Sequence, residues 1–185
     1  MANDKRTFFK SVKVLIDTRE QKNGHILSAL DAMNVPHESR KLDFGDYSFC
    51  AGERDFSLSC VIERKANINE LYGNVNTADH RARLENELFA ARCMGADLTL
   101  LLENCEDEAF LKAYQAPEWE MRAYNRKIRE TGIHCYQTIS SWQRCNRYSF
   151  QIVYVKLPEN SAARILECFY YYWRNYKALT AGRRT

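Results

Sequence analysis

The sequence predicts an α/β fold with a central mixed sheet flanked by helices, and three observations carry that prediction. Short apolar or β-branched runs alternate along the chain with amphipathic helical stretches, the pattern of layered α/β domains. The run DLTLLLE (97–103) is almost continuously apolar, as a central parallel strand covered on both faces must be. ADHRARLENELFAARCMG (78–95) repeats Leu84, Leu88 and Ala91 on one helical face and reaches Gly95 where a C-terminal stop belongs.

The remaining elements follow in chain order. VKVLI (12–16) is a β-branched run that stops at the charged DTRE, as a buried strand stops at a sheet edge. In HILSALDAMN (25–34), Ile26, Leu27, Leu30 and Met33 have helical spacing, and Pro36 closes the helix. Strands are expected around HESRKL and at DYSFC, either side of the turn-like DFGD, and then at SLSCVIERK (57–65). NINEL opens a short helix that Gly73, Asn74 and Asn76 should break. PEWEMRAYNRKIRE reads as a helix with Pro117 near its start, FQIVYVKL (150–157) as a strand, and SAARILECFYYYWRNY as a closing helix striped by Ile165, Phe169, Tyr172 and Tyr176.

Composition bounds the function. The 185 residues suit one domain, with a motif-bearing core over about 12–103 and residues 104–185 completing the fold. Hydrophobic residues make up 45% and charged residues 28%, ordinary globular usage. The 27 Lys+Arg against 24 Asp+Glu leave +3, so any surface for a polyanion must be local. Seven cysteines (Cys50, Cys60, Cys93, Cys105, Cys135, Cys145 and Cys168) are an odd number without a C-x-x-C pair, which suggests neither a closed disulfide framework nor zinc. MANDKRTFFKSVK lacks the apolar run of a secretory signal, and no membrane-length apolar stretch occurs. A reducing, cytoplasmic setting without membrane partners is the expectation.

The chemistry concentrates in GDYSFCAGERDFSLSCVIERKANIN (45–69). Side chains alternate across a strand, so Glu63 and Lys65 share one face and Arg64 takes the other. Asp46, at the start of a neighbouring strand, can supply a second carboxylate, and Asp17, at the end of the first, a third. Crowded carboxylates repel, and a hard cation relieves that repulsion; Mg²⁺ (or Mn²⁺) takes one or two protein carboxylates together with phosphate oxygens. Lys65 would orient or help activate a water. These parts suit metal-dependent phosphodiester hydrolysis, with solvated charges on an edge strand as the bland alternative. Asp43, Glu53 and Asp55 read as loop charges, and His25, His37, His80 and His134 lack metal spacing. Ser59 and Cys60 have no histidine at a telling position.

VLIDTREQ, GDYSF, VIERKANIN, RARLENEL and DLTLLLE, in that order, resemble the nuclease domain of XPF-type structure-specific endonucleases, and the compactness is similar to small phage and mobile-element members. The family signature is Gly-Asp, a variable gap, Glu-Arg-Lys, three residues and Asp. The resemblance implies a restriction-endonuclease-like core, a divalent metal, and incision of branched or flapped DNA. On matching positions it implies Asp46 and Glu63 as metal ligands, Asp17 completing the acidic cluster, and Lys65 positioning the attacking water. Arg19 and Glu20 match the Arg-Glu near the family's active site, and Arg64 matches the signature arginine as a phosphate or structural contact. The signature's last Asp falls on Asn69, and no paired helix-hairpin-helix module follows residue 103. Arg122, Arg126, Lys127, Arg129, Arg144 and Arg147 interleave with Tyr124, Tyr136, Trp142 and Tyr148, a pattern for gripping phosphates and stacking bases or, alternatively, a solvated basic face with its aromatics packed inward. A homodimer through the nuclease domain is a further implication. The rival readings are a catalytically silent DNA-binding paralogue and a protein-interaction module on the same fold.

Overall fold

The computed structural model describes residues 2–144 and 147–181. Seven strands form one mixed sheet: β1 (Val12–Ile16), β2 (His37–Ser39), β3 (Tyr47–Ala51), β4 (Arg54–Asp55), β5 (Cys60–Lys65), β6 (Asp97–Glu103) and β7 (Phe150–Val155). Their order is β2-β1-β3-β5-β6-β7, with β4 paired to β3. β1 runs parallel to β2 and antiparallel to β3, β3 is antiparallel to β5, and β5, β6 and β7 are mutually parallel. DLTLLLE therefore sits between two parallel neighbours, where its two-sided apolarity is needed.

The helices are α1 (Ala2–Ser11), α2 (Gly24–Ala32), α3 (Ile68–Asn76), α4 (Ala78–Met94), α5 (Glu108–Ala113), α6 (Glu118–Ala123), α7 (Thr131–Arg144) and α8 (Ser161–Ala181). One face of the sheet carries α1, α2 and α8, where Phe8, Ile26, Leu30, Ile165 and Phe169 pack with Val14, Phe49, Ile62 and Leu101. The other carries α3, α4, α5 and α7, where Leu71, Leu84, Leu111, Ile139 and Trp142 pack with Val61, Leu98, Leu100 and Leu102. Alternation along β5 and β6 thus sends odd and even residues into two separate cores.

Several boundaries differ from expectation for local reasons. β5 begins at Cys60 because residues 57–59 form a turn, in which Asp55 Oδ1 accepts from the Ser57 amide and the Ser59 amide donates to the Phe56 carbonyl. α3 runs through Gly73 to Asn76, since Tyr72 and Val75 on either side of the glycine bury in the core; Asn67 caps it by accepting from the Glu70 amide. The helix expected over 117–130 stops at Ala123, where Asn125 at φ +46° turns the chain. The longer helix there is α7, which the sequence reading missed although Cys135, Ile139 and Trp142 recur at helical spacing and are buried. The closing helix extends beyond the expected stretch, to Ala181. The six cysteines among the described residues are free thiols; Cys145 lies outside them. Among the described residues no helix is long and apolar enough to cross a membrane.

One glycine has a positional role in the site. Gly45 adopts φ +73°, and a Cβ there would stand 3.2 Å from both the Ile62 carbonyl oxygen and Val61 Cβ. The close approach lets the Asp46 amide donate to the Ile62 carbonyl at 2.8 Å, while the Asp17 amide donates to the Asp46 carbonyl at 2.8 Å. Gly45→Ala is expected to lower unfolding stability by about 1–3 kcal/mol, read from the urea midpoint. An unchanged midpoint would show that the β3–β5 approach tolerates a side chain.

Candidate active site

The site starts from three consecutive charged residues at the end of β5, all of them buried. On the α3/α4 side, Lys65 Nζ donates to Glu63 Oε1 at 2.5 Å. Both line a pocket of about 250 Å³ with Glu70, Asn74, His80 and Glu87. Asp46 reaches β5 from the next strand, its Oδ2 accepting from the Arg64 backbone amide at 2.7 Å.

The electrostatics couple these groups. Burial, then the charge of Glu63, pushes the Asp46 carboxyl well above the usual carboxylate range, against the pull of Lys65. Burial acts to lower Lys65, but Glu63 and Asp46 outweigh it and hold the ammonium above its ordinary value. Glu87, on α4, is pushed up to about 7 by burial and by its charge and hydrogen-bond interaction with Glu63. The sequence reading missed Glu87. Its signal was a carboxylate inside the Leu84–Leu88–Ala91 stripe, on the face that α4 turns toward the sheet.

Arg64 occupies the opposite face, as alternation requires. Its Nη1 donates to Glu103 Oε2 at 2.7 Å, and its Nη2 to Glu20 Oε1 at 3.1 Å and the Lys22 carbonyl at 3.0 Å. Glu103, also absent from the sequence reading, accepts from Ser161 Oγ at 2.5 Å and pairs with His25 Nε2 at 2.8 Å. Burial would lower the proton affinity of Arg64, but Glu20 and Glu103 raise it beyond its ordinary value. Arg64 and Glu20 therefore form an internal tie between the end of β1, β5, β6, α2 and α8.

Asp17 departs from the expected three-carboxylate cluster. One of its oxygens accepts from the Arg19 amide at 2.8 Å and Arg19 Nε at 2.6 Å, the other from the Leu42 amide at 2.6 Å and Arg19 Nη2 at 3.3 Å. Burial would raise its pKa, yet the hydrogen bonds from Arg19 and Leu42 hold it below the ordinary value. Arg19 also lies 3.8 Å from Glu87 through Nη1, bridging the two acids. Among the described residues, no three Asp, Glu, His or Cys side chains are grouped to hold a metal ion. Asp46 and Glu63 remain a fitting pair for a hard cation: two oxygen donors, crowded enough that Glu63 raises the proton affinity of Asp46.

Asn69, at the signature's last position, does not line the Glu63–Lys65 pocket. It lines a cleft of about 1220 Å³ beside it, where its Oδ1 is buried without a hydrogen-bond partner among the described residues. The basic segment disperses. Arg126 and Lys127 line that cleft, but Arg126 donates to Glu120 Oε2 at 3.1 Å, with its side chain only 7% exposed. Arg122 is exposed 3.7 Å from Glu118. Arg144 ends α7, 21 Å or so along a helix of that length, and Arg147 pairs with Glu85 at 2.7 Å, so neither lines the cleft. Trp142 and Tyr148 are packed inward.

The raised Glu87 carboxyl makes stability depend on pH. The unfolded chain loses this proton near the ordinary Glu value of about 4.3, before the folded protein does. Its contribution to stability therefore falls as pH rises from that range through about 7. In EDTA, Glu87→Gln should raise the Tm of the protein more at pH 8 than at pH 5. A Tm difference independent of pH would contradict the crowding of Glu87 against Glu63.

A family model of the ERCC4 domain matches residues 16–167. The structure is similar to XPF from Aeropyrum pernix, with a TM-score of 0.56 at 18% identity over 85% of this chain and 59% of that one. It is also similar to XPF from Aeropyrum pernix in complex with DNA, with a TM-score of 0.59 at 17% identity over 88% of this chain and 66% of that one. The chain thus spans less than two thirds of either. No curated protein matches the sequence. The shared architecture is the restriction-endonuclease-like fold, and with its family model matched over most of its length, the chain belongs to the ERCC4 domain family.

Proposed function

We propose that this protein is a divalent-metal-dependent endonuclease that hydrolyses phosphodiester bonds of branched or flapped DNA. Family membership and the XPF fold support a nuclease acting on DNA. The observation that carries the chemistry is the placement of Asp46, Glu63 and Lys65 in mutual electrostatic contact, two of them lining an open pocket at the end of β5.

Asp46 and Glu63 would hold Mg²⁺ or Mn²⁺, which when bound lowers the pKa of a water and offsets charge on the phosphoryl group. The Arg64 amide fixes one Asp46 oxygen, leaving the other available. Lys65 is held protonated by its two acidic neighbours, so its role is to donate: it orients the nucleophilic water and offsets negative charge as the phosphate is attacked. Glu87, near neutrality between its protonated and ionised forms, is the group beside Glu63 able to take up a proton. Asp17 and Arg19 act as positioning residues, fixing the chain that carries Glu20 and meeting Glu87 from the side.

The test is cleavage of labelled flap, splayed-arm, single-stranded and duplex DNA with Mg²⁺, Mn²⁺ or EDTA. Cutting should require metal, and Glu63→Gln and Lys65→Ala should each lower the rate by about 100-fold or more. Cutting by Glu63→Gln at the parental rate would remove the assigned site. DNA binding by all three proteins without cutting by any would make the chain a binding module.

A further inference from the structure

The 1220 Å³ cleft is continuous with the catalytic pocket, because Glu70, Asn74 and His80 line both. Its far wall is the loop after α6, and that loop is built in an unusual way. Tyr124 is 58% exposed and lines the cleft. Its support is a paired cation: the Arg126 guanidinium lies 5.1 Å from the centre of the Tyr124 ring and 4.5 Å from that of Tyr72, held by Glu120. Glu120 is itself buried and accepts from Tyr114 Oη at 3.1 Å. An aromatic ring backed by a paired guanidinium, and left open to a polar cleft, offers a face on which another ring can stack.

The rest of the lining indicates what would lie on it. Lys22 and Lys127 line the cleft, and no carboxylate pairs with either among the described residues. Arg19, Arg64 and Arg126 also line it but are committed to Asp17, to Glu103 and Glu20, and to Glu120. Side-chain amides also line it, including Asn69 with its buried Oδ1, and so do two carboxylates that are engaged, Glu20 by Arg64 and Glu70 by the Ala66 amide. Two available cations are few for the phosphate rows of a duplex, whereas an exposed ring, scattered cations and amide donors and acceptors suit unstacked nucleotides.

We propose that this cleft binds an unpaired single-stranded DNA segment adjoining the scissile phosphate, with a base stacked on Tyr124 and phosphates contacted by Lys22 and Lys127. Its orientation toward a scissile bond rests on the endonuclease reading; the stacking subsite does not. Arg126 is a positioning residue that holds the ring.

Anisotropy of labelled oligothymidylate and of a blunt duplex of equal length, both in EDTA, tests the subsite without cleavage. Tyr124→Ala should weaken oligothymidylate binding by about 5- to 100-fold and duplex binding by less than about 2-fold, with Tyr124→Phe close to the parent. Lys127→Ala should weaken the oligothymidylate with its salt slope reduced by about one ion. Equal losses on both DNAs, or no loss with Tyr124→Ala, would overturn the proposal. Selective loss in a protein that cuts no DNA would sink the endonuclease reading and keep the subsite; cleavage of branched DNA with Tyr124→Ala binding unchanged would do the reverse.

Discussion

The structure depends on burying three adjacent charges, Glu63, Arg64 and Lys65, at the end of one central strand. A buried charge must be paired, and the strand's alternation forces the three to find partners on opposite sides of the sheet. Arg64 finds them in Glu103 and Glu20, and through Glu103 it reaches His25 on α2 and Ser161 on α8. Removing one partner from a buried ion pair costs about 3–5 kcal/mol. This side of β5 therefore holds together the loop after β1, the end of β6 and two covering helices.

The other side is arranged against stability. Gly45 brings Asp46 close to β5, and Asp46 then faces Glu63, which already faces Glu87 on α4. Lys65 is the cation common to these acids, and it does not keep Asp46 and Glu87 from being pushed up. Perturbed carboxyls in a lined pocket mark sites where binding a further cation is favourable, and they concentrate where chemistry is done. The division of labour follows from pleat geometry: the same three-residue run anchors the fold with its middle member and turns its outer members toward the pocket shared with Glu87.

Much of this was legible in the sequence. β1, β6 and β7 follow their apolar runs, and α4 ends at Gly95 in the left-handed conformation that its position required. Strand alternation alone placed Glu63 and Lys65 together and Arg64 apart. What was not legible depends on partners distant in sequence. Glu103 closes DLTLLLE and looks like the charge that ends a strand, and becomes a hub only when Arg64, His25 and Ser161 converge on it. Asp17 sits beside Asp46 in the sheet, yet Arg19 two residues on and the Leu42 amide occupy its oxygens. The basic run from Arg122 to Arg147 looked continuous because spacing along the chain does not reveal that α7 carries Arg144 away from Lys127, or that Glu120 and Glu85 claim Arg126 and Arg147.

Thermal unfolding with EDTA and with excess Mn²⁺, for the parent, Glu63→Gln and Arg64→Lys, tests the separation of the two faces most directly. A ligand bound by the folded state raises Tm. Mn²⁺ should raise the Tm of the parent and leave that of Glu63→Gln unmoved. Arg64→Lys should melt lower in EDTA, through loss of its forked contacts to Glu103 and Glu20, yet keep the full upward shift with Mn²⁺. A Glu63→Gln protein that retains the Mn²⁺ shift, or an Arg64→Lys protein that loses the shift without loss of stability, would contradict the assignment of metal binding to one face of β5 and anchorage to the other.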